Sequence, residues 1–82
     1  MSFPRQQFLS NVAAECARLG RHDVATWITV AIQNFLRGDD GAGDSWLEAA
    51  RAADVRAGTV SVLECDENGE IVGVSATVEA AA

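Results

Sequence analysis

Lysine and tyrosine are both missing from these 82 residues, and proline, histidine and methionine occur once each. Without lysine, six arginines carry all the positive side-chain charge against twelve acids, for a net charge of −6. A nucleic-acid binder draws most of its affinity from neutralising phosphate, so this balance argues against nucleic acid as the primary partner. It fits a protein that presents an acidic face to a basic partner. One histidine and two cysteines make no zinc-ligand cluster, and no Gly-rich loop between a strand and a helix offers a phosphate cradle. Long apolar runs are missing too. The longest is interrupted by Thr and Gln and falls below the roughly 20 residues a membrane helix requires. The opening Met1-Ser-Phe-Pro-Arg-Gln-Gln lacks the charged-then-apolar pattern of a signal peptide. Cys16 and Cys65 are therefore expected to be free thiols in a reducing cytoplasm.

What is present is organised around residues 24 to 36. At a helical period the polar side chains Thr26, Thr29, Gln33 and Arg37 form one narrow stripe. Val24, Trp27, Ile28, Val30, Ile32, Phe35 and Leu36 occupy most of the remaining circumference. A helix with so little polar surface must be covered on most sides, so the other elements should pack around it. The chain is short enough to make one small domain, residues 1–82, burying only about 60% of its unfolded surface. Its 49% hydrophobic content includes 15 alanines, which let backbones approach but bury little area. Association with a second copy is one way to gain the missing burial.

In chain order, Pro4 suits the first turn of a helix over residues 4–19, with Phe8, Leu9, Val12, Cys16 and Leu19 as its apolar stripe. Gly20 ends it. Asp23 is the expected cap of the second helix, residues 24–37, and His22 is expected to pack on Trp27 across it. Gly38 ends that helix and opens a Gly- and Asp-rich stretch through Asp44, which reads as a flexible loop. Ser45 and Glu48 form a capping box for a third helix, residues 46–57, with Trp46, Leu47, Ala50 and Ala53 inward. Glu48, Arg51 and Asp54 are expected to support one another on its outer side.

From Thr59 the period changes to two. Residues 59–65 and 70–79 read as the strands of an antiparallel hairpin around the turn Asp66-Glu67-Asn68-Gly69. A two-residue loop groups Leu63, Cys65, Val72, Val74, Ala76 and Val78 on one face. A three-residue loop with Gly69 in a bulge groups Val60, Val62, Val72, Val74, Ala76 and Val78, and Asp66 with Gly69 favours this second register. Either leaves Ile71 on the far face. A two-stranded ribbon with two apolar faces is expected to pair with a second copy or another protein. The fold class is thus α+β, a three-helix cluster followed by a C-terminal β-hairpin.

The order of three helices and a hairpin resembles a winged-helix DNA-binding domain, with residues 45–57 in the place of the recognition helix and 59–79 in the place of the wing. That resemblance implies a DNA-binding regulator and requires Arg51 and Arg56 to converge with Arg18, Arg21 or Arg37. The wing position, however, carries Glu64, Asp66, Glu67 and Glu70, which phosphate would repel. Gly43-Asp44-Ser45-Trp46-Leu47-Glu48 is similar to the Asp-Ser-Leu attachment site of acyl carrier proteins, which implies phosphopantetheine on Ser45. It departs from that family in having Trp46 for Leu and a hairpin where the family continues in helices.

Charge and size together favour a non-enzymatic, cytoplasmic protein-binding module, without cofactor or metal, joined as a homodimer through the hairpin. Its candidate contact residues are Asp39, Asp40, Asp44, Trp46 and Glu48 on one element and Glu64, Asp66, Glu67 and Glu70 on the other. A concrete form is a phage- or mobile-element-type inhibitor that masks a basic nucleic-acid-binding surface on its target.

Overall fold

The computed structural model describes residues 3–55 and 61–75. Three helices, α1 (Phe3–Arg18), α2 (His22–Leu36) and α3 (Asp40–Asp54), precede an antiparallel hairpin of β1 (Leu63–Cys65) and β2 (Ile71–Val74). This is the α+β order expected from the periodicities. The strand segments expected at 59–60 and 76–79, and the helical end at 56–57, lie outside the described residues.

Helix α2 is the middle element, flanked by α1 on one side and α3 on the other, while β2 packs against α1. Its Val24, Ile28 and Phe35 are buried, Trp27 and Ile32 pack partly buried against the core, and Thr26, Thr29, Gln33 and Arg37 all face solvent. Leu36 departs from the expected jacket, with 65% of its surface exposed at the helix end. From α1 come Leu9, Val12 and Cys16, and from α3 Leu47, Ala50 and Ala53, all buried. The alanines let α3 lie close to α2.

Two helix starts differ from expectation. Arg21, not Asp23, occupies the N-cap position of α2 and makes no side-chain cap. Asp23 lies in the first turn instead, where its charge suits the positive helix end and pairs with Arg21 at 3.2 Å. His22 is exposed rather than packed on Trp27, because Trp27 stacks on Trp46 across the α2–α3 seam, with ring centroids 4.9 Å apart and planes 7° from parallel.

The second difference is larger. The stretch read as a flexible loop is the first turn and a half of α3. Gly38 turns the chain at φ +85°, and Asp39 then caps α3 by accepting the Ala42 N–H at 3.0 Å. Ser45 and Glu48 consequently lie inside the helix and form no capping box. What holds the early turn is Gly43, buried directly against the ring of Phe35. Glycine there allows a close approach that outweighs its poor helix propensity.

In the hairpin, Gly69 adopts φ +81° and its N–H donates to the Asp66 carbonyl at 3.0 Å, so the tip takes the three-residue loop. The facing pattern nevertheless differs. Leu63 pairs with Val74 and Glu64 with Gly73, but Cys65 pairs with Ile71, leaving Val72 as an extra residue in β2. A bulge of this kind shifts the alternation by one residue. Ile71 therefore joins Val62 and Leu63 in the core, while Val72 is 54% exposed.

Candidate functional site

Starting α3 at Asp40 has a consequence for charge. Asp40, Asp44 and Glu48 recur every four residues, so they share one exposed stripe about 12 Å long on a rigid helix. Asp39 is held at its head by the cap. Arg51 Nη2 donates a hydrogen bond to Glu48 Oε2 at 2.6 Å, an i,i+3 pair on the surface.

The hairpin tip is built by Asp66, whose Oδ1 accepts the N–H groups of both Asn68 and Glu70 at 2.9 Å. It lies beside α3, and Asp44, Glu48, Arg51 and Glu70 line a shallow cleft of about 260 Å³ between them. Asp44, Glu48 and Glu70, expected on two separate surfaces, thus meet at one. Asp66 and Glu67 are exposed at the adjoining tip, and Glu70 also pairs with Arg5 at 3.5 Å. Glu64 lies in β1 over Gly73 rather than in the cleft. Trp46 is half-buried in its stack with Trp27 and belongs to the α2–α3 seam.

The arginines are largely consumed internally. Arg5 pairs with Glu70, Arg18 with Glu15 at 2.6 Å, Arg21 with Asp23 and Asp54, and Arg51 with Glu48. The Arg18 guanidinium holds the Glu15 carboxyl below its ordinary range, chiefly by hydrogen bonding. Arg37 donates to Asn34 Oδ1 at 3.4 Å. Arg56, one of the arginines on which the winged-helix resemblance depends, lies outside the described residues.

No family model, curated protein or solved structure matches this chain, and the site rests on its own geometry.

Neither thiol is activated. Burial pushes Cys16 up to about 11, with the nearby Asp54 charge adding to it, and partial burial also raises Cys65. Among the described residues no three His, Cys, Asp or Glu side chains gather to hold a metal. No described helix is long and apolar enough to cross a membrane. A concavity of about 630 Å³ between α1 and α2 is lined by four alanines with Val30 and Ile32, and by the polar side chains of Ser10, His22, Thr26, Thr29 and Gln33.

Sequence reasoning also misplaced Asp54. Instead of joining Glu48 and Arg51 outside, it is 1% exposed. Its carboxylate accepts the N–H groups of Val62 at 2.8 Å and Leu63 at 2.9 Å, the Ser61 hydroxyl, and Arg21 Nη1 at 3.4 Å. Arg21 also donates to the Ala53 carbonyl at 3.0 Å. A signal was available: an acid in the last turn of a helix opposes the macrodipole and calls for donors of its own.

Proposed function

We propose that this chain is a non-enzymatic protein-binding module of the cytoplasm whose acidic face occupies a basic, nucleic-acid-binding groove on its target. The face runs along Asp40, Asp44 and Glu48 and continues through Glu70 to Asp66 and Glu67. A phage- or mobile-element-type inhibitor would act in this way. The observation that carries the reading is the meeting of the α3 stripe and the hairpin tip at one cleft, where the six acids of the face outnumber Arg51 and Arg5, the partners of Glu48 and Glu70. Fixed acids on a helix and a bonded turn lose little freedom on binding, which favours fast, salt-sensitive association.

The experiment is a pull-down from native lysate, identification of the retained protein by mass spectrometry, and association kinetics with variants. Glu67→Lys with Asp40→Lys, which leave the Asp66-bonded turn intact, and separately Asp44→Lys, should slow association by roughly tenfold or more at low salt and flatten its salt dependence. Unchanged rates and salt slope would sink the acidic-face reading. Binding of a DNA duplex at physiological salt would favour the regulator instead.

The same reading includes a homodimer through the hairpin, supported by Val72, which the bulge leaves on the outer side. Val72→Lys should then shift the sedimenting species from dimer to monomer with circular dichroism unchanged. A wild type that sediments as a monomer at all concentrations removes the dimer.

A further inference from the structure

The solvent-facing stripe of α2 asks little of water. The Thr26 hydroxyl donates to the His22 carbonyl at 2.7 Å and the Thr29 hydroxyl to the Ala25 carbonyl at 2.9 Å. Neither would be left with an unmet donor if water were excluded. Beside them runs the groove of about 630 Å³ between α1 and α2, where Ala13, Ala17 and Ala25 leave room for another side chain. No Asp or Glu is among the described residues that line it, whereas Asp44, Glu48 and Glu70 line the cleft at the hairpin tip. His22, Thr29 and Leu36 follow one another at seven-residue spacing and so share one side of α2. Leu36 stands exposed at its end, an apolar ridge that nothing among the described residues covers.

Ridge and hollow lie on one patch. The short joint after α1 makes α1 and α2 antiparallel neighbours, so Ala17 lies at the His22 end of the groove. A two-fold axis at Thr29 exchanges Leu36 with His22, and it seats the Leu36 of each copy over the Ala17 hollow of the other. An isologous contact requires this kind of self-complementarity. Charge points to the same occupant. Residues 1–37, which carry the patch, hold four arginines against Glu15 and Asp23, a net +2. Residues 38–82 hold ten acids against Arg51 and Arg56, a net −8. Two copies of a chain with net charge −6 can therefore meet at this groove without bringing their acids together.

We propose that the α1–α2 groove is a contact for a second copy of this chain, with the two α2 helices antiparallel about Thr29. From His22 to Leu36 the patch spans about 21 Å, which is short for a permanent interface, so the association depends on concentration. Its residues all lie on α1 and α2. The proposal is thus independent of the acidic-face reading and of the Val72 contact, and each can fail alone.

Val72→Lys is the background for the test, because it removes any contact through the hairpin. In sedimentation velocity this protein should pass from monomer towards dimer as concentration rises. Adding Thr29→Glu places like charges at the axis, and adding Leu36→Lys withdraws the ridge. Each should raise the dissociation constant roughly tenfold or more. Both positions are exposed, so circular dichroism should be unchanged. Mixing tests the pairing itself. Leu36→Lys protein with His22→Glu protein should form a heterodimer roughly tenfold or more tighter than either homodimer, because the new cation faces the new anion while the second Leu36 contact stays native. A Val72→Lys protein that remains monomeric at every concentration overturns the proposal. So does a dimer that Thr29→Glu and Leu36→Lys leave intact, or a mixture no tighter than its parts.

Discussion

Alanine at position 54 should lower the unfolding free energy by about 3–5 kcal/mol, much of the stability expected of a domain this small. Removing the carboxylate strands the Val62 and Leu63 N–H groups, beside a chain segment in which both residues are buried. A buried donor left without a partner costs about 1–3 kcal/mol, and water cannot easily replace the carboxylate there. Arg21, only 14% exposed in its side chain, loses one of its two carboxylates but keeps Asp23 and the Ala53 carbonyl, which limits its share. Urea unfolding followed by circular dichroism measures the effect. Loss should begin in the hairpin, so Val62, Leu63 and Ile71 amides should lose exchange protection before α2 does. A change in midpoint worth less than about 1 kcal/mol would show that the hairpin is held by apolar contact alone.

Periodicity disclosed the helices because α2 carries an unmistakable stripe: Thr26, Thr29, Gln33 and Arg37 all reach solvent, and Val24 and Ile28 are fully covered. Gly20 and Gly38 ended their helices as expected, each at positive φ. What stayed hidden depends on partners distant in the chain. Gly41 and Gly43 look like loop residues until Phe35 is seen lying on Gly43, so local propensity misplaced the start of α3. The inward turn of Ile71 depends on a bulge opposite Glu64 and Cys65 that no local alternation encodes. Asp54 was read as a surface acid because its donors lie 7 to 9 residues further on, in the segment it anchors.

The candidate site was legible in composition and illegible in arrangement. Both acidic stretches could be named from charge alone. Their joining at Asp44, Glu48 and Glu70 follows from the hairpin folding back beside α3. The earlier start of α3 changes the character of Asp40 and Asp44 from mobile loop charges to fixed points on a helix. A fixed array is the more discriminating surface, because a partner must match its spacing as well as its sign.

Gly43→Ala provides the sharper test of that helix start, because two opposing effects have to be weighed. Alanine is the better helix former by about 1 kcal/mol. Against this, a Cβ at residue 43 would lie 2.4, 2.5 and 2.7 Å from three ring carbons of Phe35, which is itself only 3% exposed. The ring cannot withdraw without displacing the α2–α3 seam, and overpacking of this kind costs about 1–3 kcal/mol or more. Gly43→Ala is therefore expected to destabilise by roughly 1–2 kcal/mol net. Two controls separate the causes. At Gly41 the new Cβ meets only Asp39 Oδ1 at 3.9 Å, so Gly41→Ala should stabilise by about 0.5 kcal/mol. Phe35→Leu shortens the obstructing ring, and in that background Gly43→Ala should become neutral or stabilising, a coupling of about 1–2 kcal/mol between the sites. Urea midpoints of the four-protein cycle and of Gly41→Ala measure all three. No gain at Gly41 together with no penalty at Gly43 would mean that α3 begins later and that the acids before it sit on a loop after all.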